Sequence, residues 1–194
     1  MIVLASKSAS RRAMLDAAGV PHEAIPAELD ERSIEAGLAG CPPHEVAEAL
    51  SLAKAQAVAA QRNGRLVLGS DSLVVCNGVR FDKPASLDQA AEHLRRFSGQ
   101  VMELHSAAAL VRDNCCEWSG SSLARLTVRE LSDDFIDSYL AAEWPEVGHC
   151  VGVFRIEGLG VQLFKAIEGD QFTVLGMPLL GVLAALRELG ELPA

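Results

Sequence analysis

The stretch LVLGSDSLVV, residues 66–75, is apolar on both faces except at its centre. Such a run predicts a central strand of a sheet covered on both sides. The Asn77-Gly78 pair that follows predicts a hairpin turn. Upstream, residues 44–61 form a long Ala-rich segment with helical spacing, and Ile2–Ala5 reads as a short apolar strand. Ser8 is placed to cap a helix through Arg11, Met14 and Leu15 that stops at Gly19. Residues 21–43 read as a turn-rich stretch. Downstream, Ser86-x-x-Gln89 is a capping-box signature for a helix ending near Ser98-Gly99. Two strands are expected over 101–112 and 115–128, with Asp113-Asn114 as their turn. Ser132 caps a helix to about Ala142, Gly-rich strands are expected between Val151 and Val174, and Pro178 starts a last helix ending near Gly190. Interleaved strands and helices with hairpins among them predict an α/β fold on a mixed sheet.

The chain has 194 residues, 17 Lys+Arg against 26 Asp+Glu, and a net charge of −9. That length suits one domain over residues 1–194. That charge excludes a general affinity for nucleic acid or an anionic membrane. No apolar run is long enough to span a bilayer, and the opening MIVLAS is too short for a signal-peptide core, so a cytoplasmic protein is expected. Five cysteines, Cys41, Cys76, Cys115, Cys116 and Cys150, are scattered with no C-x-x-C, which argues against a disulfide framework or a structural zinc site. They read as small buried hydrophobes.

Against this acidic background a few residues do not suit a merely structural role. Arg11 and Arg12 fall in the first turn of the first helix, where the dipole disfavours cations and free N–H groups favour anions. With Ser6, Ser8 and Ser10 beside them, SKSASRR reads as a phosphate cradle; two solvated arginines and a serine cap would spell the same letters. Lys54 shares a helix face with Ala47, Leu50 and Val58, so it either snorkels to water or carries a charge into a site. Asp71 interrupts the central strand, where a carboxylate is costly unless paired or functional. Gly69 beside it permits a bulge or the close approach of a ligand. Lys83 in FDKP and Glu31 in ELDER are on connecting segments, where charge is usually only solvated. Taken together, three cations and two carboxylates suit a polyphosphate, a divalent metal and a carboxylate that acts on water.

LASKSASRRAML, the ELDE of ELDER, LAKAQA, GSDS, DKP and GMPLL follow one another in the order seen in the Maf family, and the resemblance runs from Met1 to about Gly190. The chain therefore resembles nucleoside triphosphate pyrophosphatases that release pyrophosphate and leave the monophosphate, using Mg²⁺ or Mn²⁺. The resemblance implies an α/β fold with a deep cleft, similar to inosine triphosphate pyrophosphatases, and a homodimer. It makes Asp71 the general base, gives the triphosphate to Ser6, Arg11, Lys54 and Lys83, and gives the metal to Glu31 and Asp71. Ala9 stands where the family has proline, which removes a rigid helix start but no chemical group.

Base selection in the family corresponds to Ser10, Ser72 and Glu157. The dTTP/UTP branch has Arg, Thr and Gln there, and none of the three matches. HCVGVFRIEGLGVQLF, residues 149–164, is similar to the branch acting on 7-methyl-GTP. A carboxylate at Glu157 suits the N1–H and N2–H₂ edge of a guanine and would meet only carbonyl oxygens on uracil or thymine. That branch has a tryptophan where Ser10 stands, so stacking on a cationic methylated base is not supplied from there. The rivals are a nucleotide-binding regulator of cell division or septum formation without turnover, a dTTP/UTP pyrophosphatase, and a serine hydrolase. The last lacks a G-x-S-x-G elbow.

Overall fold

A computed structural model describes residues 1–193. The chain runs β1 (Ile2–Leu4), α1 (Ala9–Ala17), β2 (His22–Ala24), α2 (Glu31–Gly37), α3 (Pro43–Ala59), β3 (Val67–Cys76), β4 (Val79–Phe81) and α4 (Leu87–Phe97). It continues through β5 (Val101–Arg112), β6 (Cys115–Val128), α5 (Asp133–Glu143), β7 (Phe164–Glu168), α6 (Gln171–Val174) and α7 (Leu179–Glu188). The seven strands form a mixed sheet in the order β2-β1-β3-β5-β6-β7, with β4 paired to β3. β1 pairs parallel with β2 and β3, whereas β3–β4 and β6–β7 are antiparallel. The α/β class and mixed sheet expected from the sequence are what the chain adopts. Among the described residues, no helix is long and apolar enough to cross a membrane.

Contacts divide the chain into two compact units. The first comprises residues 1–72, 105–123 and 171–193. Its layering follows from strand alternation. Val3 and Ala5 of the first strand and its exit, with Val67 of β3, pack with Ala55, Val58 and Ala59 of α3. Ile2, Leu4, Leu66 and Leu68 pack instead with Met14 and Leu15 of α1 and Leu179, Val182 and Leu186 of α7. Each fully buried aliphatic side chain of this kind stabilises the fold by about 1.5–3 kcal/mol. The alternation also decides where polar residues of β3 point, and so positions the candidate site.

The second unit comprises residues 73–104 and 124–170. Asn77 and Gly78 turn β3 into β4 with φ of 52° and 73°, as a two-residue hairpin requires. Ser86 caps α4 by accepting from the Gln89 N–H, while Gln89 Oε1 reaches back to the Ala85 N–H instead of the Ser86 one. His93 on α4 is buried edge-on against Phe81, and that burial lowers its pKa and favours the neutral ring.

The remaining boundaries fall within a residue or two of expectation, with two exceptions. The turn-rich stretch 21–43 contains β2 and α2, the latter capped by Asp30 accepting from the Ser33 N–H. The strands expected between Val151 and Val174 are one strand, β7, a 3-10 turn at Leu159–Leu163 and the short α6. The glycines there give no alternating pattern, and Gly160 packs against the Arg155 backbone, which winds the segment tightly instead of extending it. Cys115 and Cys116 are exposed at the start of β6, because residues beside a hairpin tip have little to be buried against; Cys76 is buried, and Cys41 and Cys150 are half-buried.

Candidate active site

Four consecutive residues of β3, Gly69, Ser70, Asp71 and Ser72, serve two faces in alternation. Gly69 and Asp71 face α3. A Cβ on Gly69 would lie 2.0 Å from the Ser51 carbonyl oxygen and 2.6 Å from the Ala55 nitrogen. The close approach that this glycine permits is therefore that of the α3 backbone, which fills the space a ligand would need. It brings Lys54, one residue before Ala55, onto the strand.

Lys54 Nζ donates to Asp71 Oδ1 at 2.6 Å and lies 2.9 Å from Glu31 Oε2. The ammonium is therefore shared between two carboxylates. Asp71 is only 7% exposed, and the partner that an aspartate in a central strand needs is this lysine. Lys54 does not snorkel away: its side chain is 13% exposed and is committed to the pair. Glu31 arrives from the first turn of α2, where a carboxylate also suits the helix dipole.

The loop from β1 to α1 supplies the other polar groups. Ser8 caps α1, its Oγ accepting from the Arg11 N–H at 3.3 Å. Ser6 Oγ accepts from the Ser8 N–H at 3.1 Å and from Arg11 Nη1 at 3.4 Å. With both lone pairs engaged, the Ser6 hydroxyl has its proton left to donate, the polarity an anion requires. Arg11 turns inward and donates through Nε to the Gly176 carbonyl at 3.0 Å, whereas Arg12 is exposed. Burial lowers the Arg11 pKa, and the negative charges of Asp71 and Glu31 oppose that shift, so the guanidinium stays a cation.

Ser70 and Ser72 face the other way. Ser70 donates to the Gly176 carbonyl at 3.2 Å, and Ser72 lies 2.9 Å from the hydroxyl of Ser106 on β5. Gly176, at φ 98°, closes the turn after α6, a backbone state that suits glycine. Ser10 donates to the Leu175 carbonyl at 2.9 Å.

Of the residues singled out in the sequence, Ser6, Ser10, Arg11, Glu31, Lys54, Asp71 and Ser72 all belong to the first unit, and hydrogen bonds or charge connect Ser6, Arg11, Glu31, Lys54 and Asp71 directly. Lys83 and Glu157 belong to the second and are exposed. There the half-buried Cys150 thiol feels both: burial raises its pKa most, Glu157 raises it further, and Lys83 lowers it. Sequence reasoning missed Ser70, Ser106 and the carbonyls of residues 173–176. Ser106, a hydroxyl in the apolar run SAAALV, was the one signal available.

Arg11 and Lys54 balance Glu31 and Asp71, so these four leave no surplus positive charge for a triphosphate. A divalent cation would supply it, and two carboxylates with open phosphate and water positions suit Mg²⁺ or Mn²⁺. Among the described residues there is no cluster of three or more His, Cys, Asp or Glu that would form an all-protein metal cage.

The profile of the Maf-like protein family matches residues 1–189. A nucleoside triphosphate pyrophosphatase of Nitrobacter hamburgensis is 46% identical, over 98% of this chain and 95% of its own length. A 7-methyl-GTP pyrophosphatase of Rhizobium meliloti is 45% identical, over 100% of this chain and 98% of its own length. Another protein of that name, from Mesorhizobium japonicum, is 46% identical, over 98% of this chain and 97% of its own. A solved nucleoside-triphosphatase / dITP/XTP pyrophosphatase from Mycobacterium abscessus covers 99% of this chain and is itself covered over 97%, at 15% identity and a TM-score of 0.43, too loose a likeness to argue from.

Proposed function

This chain belongs to the Maf family, and we propose that it is a pyrophosphatase hydrolysing a guanine-type nucleoside triphosphate, such as 7-methyl-GTP, to the monophosphate and pyrophosphate. The observation that carries this is the single ammonium of Lys54 held between Asp71 and Glu31, with Arg11 beside them and Ser6 turned to donate. The full-length relatives named for this reaction support it.

Asp71 takes a proton from water, and the water oxygen attacks the α-phosphorus. The bond from that phosphorus to the bridging oxygen breaks, and its electron pair leaves with pyrophosphate. Arg11 and Lys54 offset the charge that grows on the leaving group, a contribution that is largest where water is scarce. Ser6 donates to a phosphate oxygen. Glu31 and Asp71 would hold Mg²⁺ or Mn²⁺, which supplies Lewis-acid neutralisation of the phosphates. Lys83 as a further phosphate ligand, Glu157 as the reader of the base, and a homodimer belong to the same proposal and rest on the sequence resemblance.

Pyrophosphate release across UTP, dTTP, CTP, GTP and 7-methyl-GTP tests the reading. Guanine nucleotides are expected to be turned over fastest. A clear preference for UTP and dTTP would reject the role given to Glu157, and release from none would leave a binding protein without turnover.

A further inference from the structure

His93 is a buried titratable group that the proposed reaction does not use. It is 8% exposed on α4 and clusters with two phenyl rings. Its ring centre is 5.1 Å from that of Phe81 and 6.1 Å from that of Phe97, and those two are 4.6 Å apart. Among the described residues, its Nδ1 has no hydrogen-bond partner. A neutral imidazole tolerates this by carrying its proton on Nε2, which leaves Nδ1 a bare lone pair. An imidazolium cannot, because both nitrogens then carry N–H and the phenyl rings offer no lone pair to accept the second. Proton uptake would bury a charged donor without an acceptor, which costs more than leaving a neutral group unpaired.

The charged groups around the ring do not remove that cost. Burial is the largest influence and opposes the proton; Glu92 favours it, Arg96 opposes it and Asp82 favours it. Glu92 is engaged by Arg96 Nη2 at 2.7 Å, and Asp82 by Arg80 at 3.7 Å. The way left to relieve an imidazolium is for the ring to move toward water, which parts α4 from Phe81. What that contact holds is short. Phe81 ends β4, a strand of three residues, and Ser86 caps α4. Residues 82–85 join the two and include Lys83. The His93–Phe81 contact therefore closes the base of this link. α4 keeps a second tie, Arg95 Nε donating to Asp133 of α5 at 2.7 Å, so the opening is local.

We propose that His93 is an acid-sensitive clasp: neutral, it holds β4 against α4, and when protonated at Nδ1 it releases the link that carries Lys83. The clasp does not depend on the reaction. Its consequence for a nucleotide rests on the phosphate-binding role proposed for Lys83.

Amide hydrogen exchange of the full-length protein, corrected for the intrinsic effect of pH, tests the clasp at about pH 7.5 and about pH 5.5, either side of the ordinary imidazole range. The folded ring binds its proton less readily than the unfolded one, so the contact is complete above that range and weakens as pH falls below it. Protection over residues 79–97 is expected to drop by up to about tenfold, the effect of one proton over that window. α7, whose apolar core contains no histidine, is the internal control and should change less. His93→Phe keeps a ring that cannot take a proton, and its residues 79–97 should hold their protection; His93→Leu serves if that variant does not fold. Equal losses over residues 79–97 and α7, or the same loss in the variant, would overturn the proposal. Dissociation constants for α,β-methylene GTP with Mg²⁺, which read binding without turnover, are then taken at the same two pH values. Affinity is expected to fall on acidification by up to the same factor in the wild-type protein beyond any fall in the variant. An opened clasp without that difference would remove Lys83 from phosphate binding and leave the clasp standing.

Discussion

Asp71→Asn is expected to lower turnover by about 10²–10⁴-fold, the usual contribution of a positioned general base. The fold should survive the change. Lys54 keeps Glu31 as an ion-pair partner at 2.9 Å, so removing the Asp71 charge leaves no unpaired ammonium in a half-closed environment. Steady-state pyrophosphate release and a thermal melt on the same preparation separate the two effects. A variant that melts like wild type and turns over at a small fraction of its rate fits a base. Wild-type turnover in Asp71→Asn would move the base to another residue.

The second large effect is expected at a position with no side chain. In Gly69→Ala the new Cβ would meet the Ser51 carbonyl and the Ala55 nitrogen at 2.0 and 2.6 Å, both backbone atoms that cannot rotate away. Either α3 lifts from β3 or the strand shifts. Overpacking of this kind costs about 3 kcal/mol or more when backbone must move. Because Lys54 rides on α3, the displacement also pulls the ammonium from Asp71. A misplacement of about 1 Å in such a group costs about 10²-fold in rate. Denaturant unfolding should show the lost stability, and turnover of whatever remains folded should fall with it. A Gly69→Ala protein with wild-type midpoint and rate would contradict the close seating of α3.

These two residues show what local sequence can and cannot reveal. Asp71 was legible because a charge in an apolar strand is a conflict visible in the letters themselves. Ser8, Ser86 and Ser132 were legible as caps, since each acts on an N–H three residues away. Asn77-Gly78 was legible because its turn type demands those residues. Gly69 was noticed and misread, because whether a helix or a ligand fills the space beside a glycine depends on a segment 14–18 residues upstream. The choice between a snorkelling and an inward Lys54 likewise turned on its partners, Asp71 and Glu31, which no helical periodicity can supply. The partner of the Ser10 hydroxyl is the Leu175 carbonyl, 165 residues further on, which no local pattern announces. α2 was missed because its seven residues bury none of their number fully and so carry no apolar stripe.

In the proposed reaction, water activated at Asp71 attacks the first phosphorus of the chain of three. Hydrolysis of the preferred triphosphate in water enriched in heavy oxygen, with mass analysis of both products, tests it directly. The heavy oxygen is expected to enter the nucleoside monophosphate, and pyrophosphate to leave unlabelled. Label in pyrophosphate, or release of orthophosphate with a labelled oxygen, would place the attack at another phosphorus and contradict it.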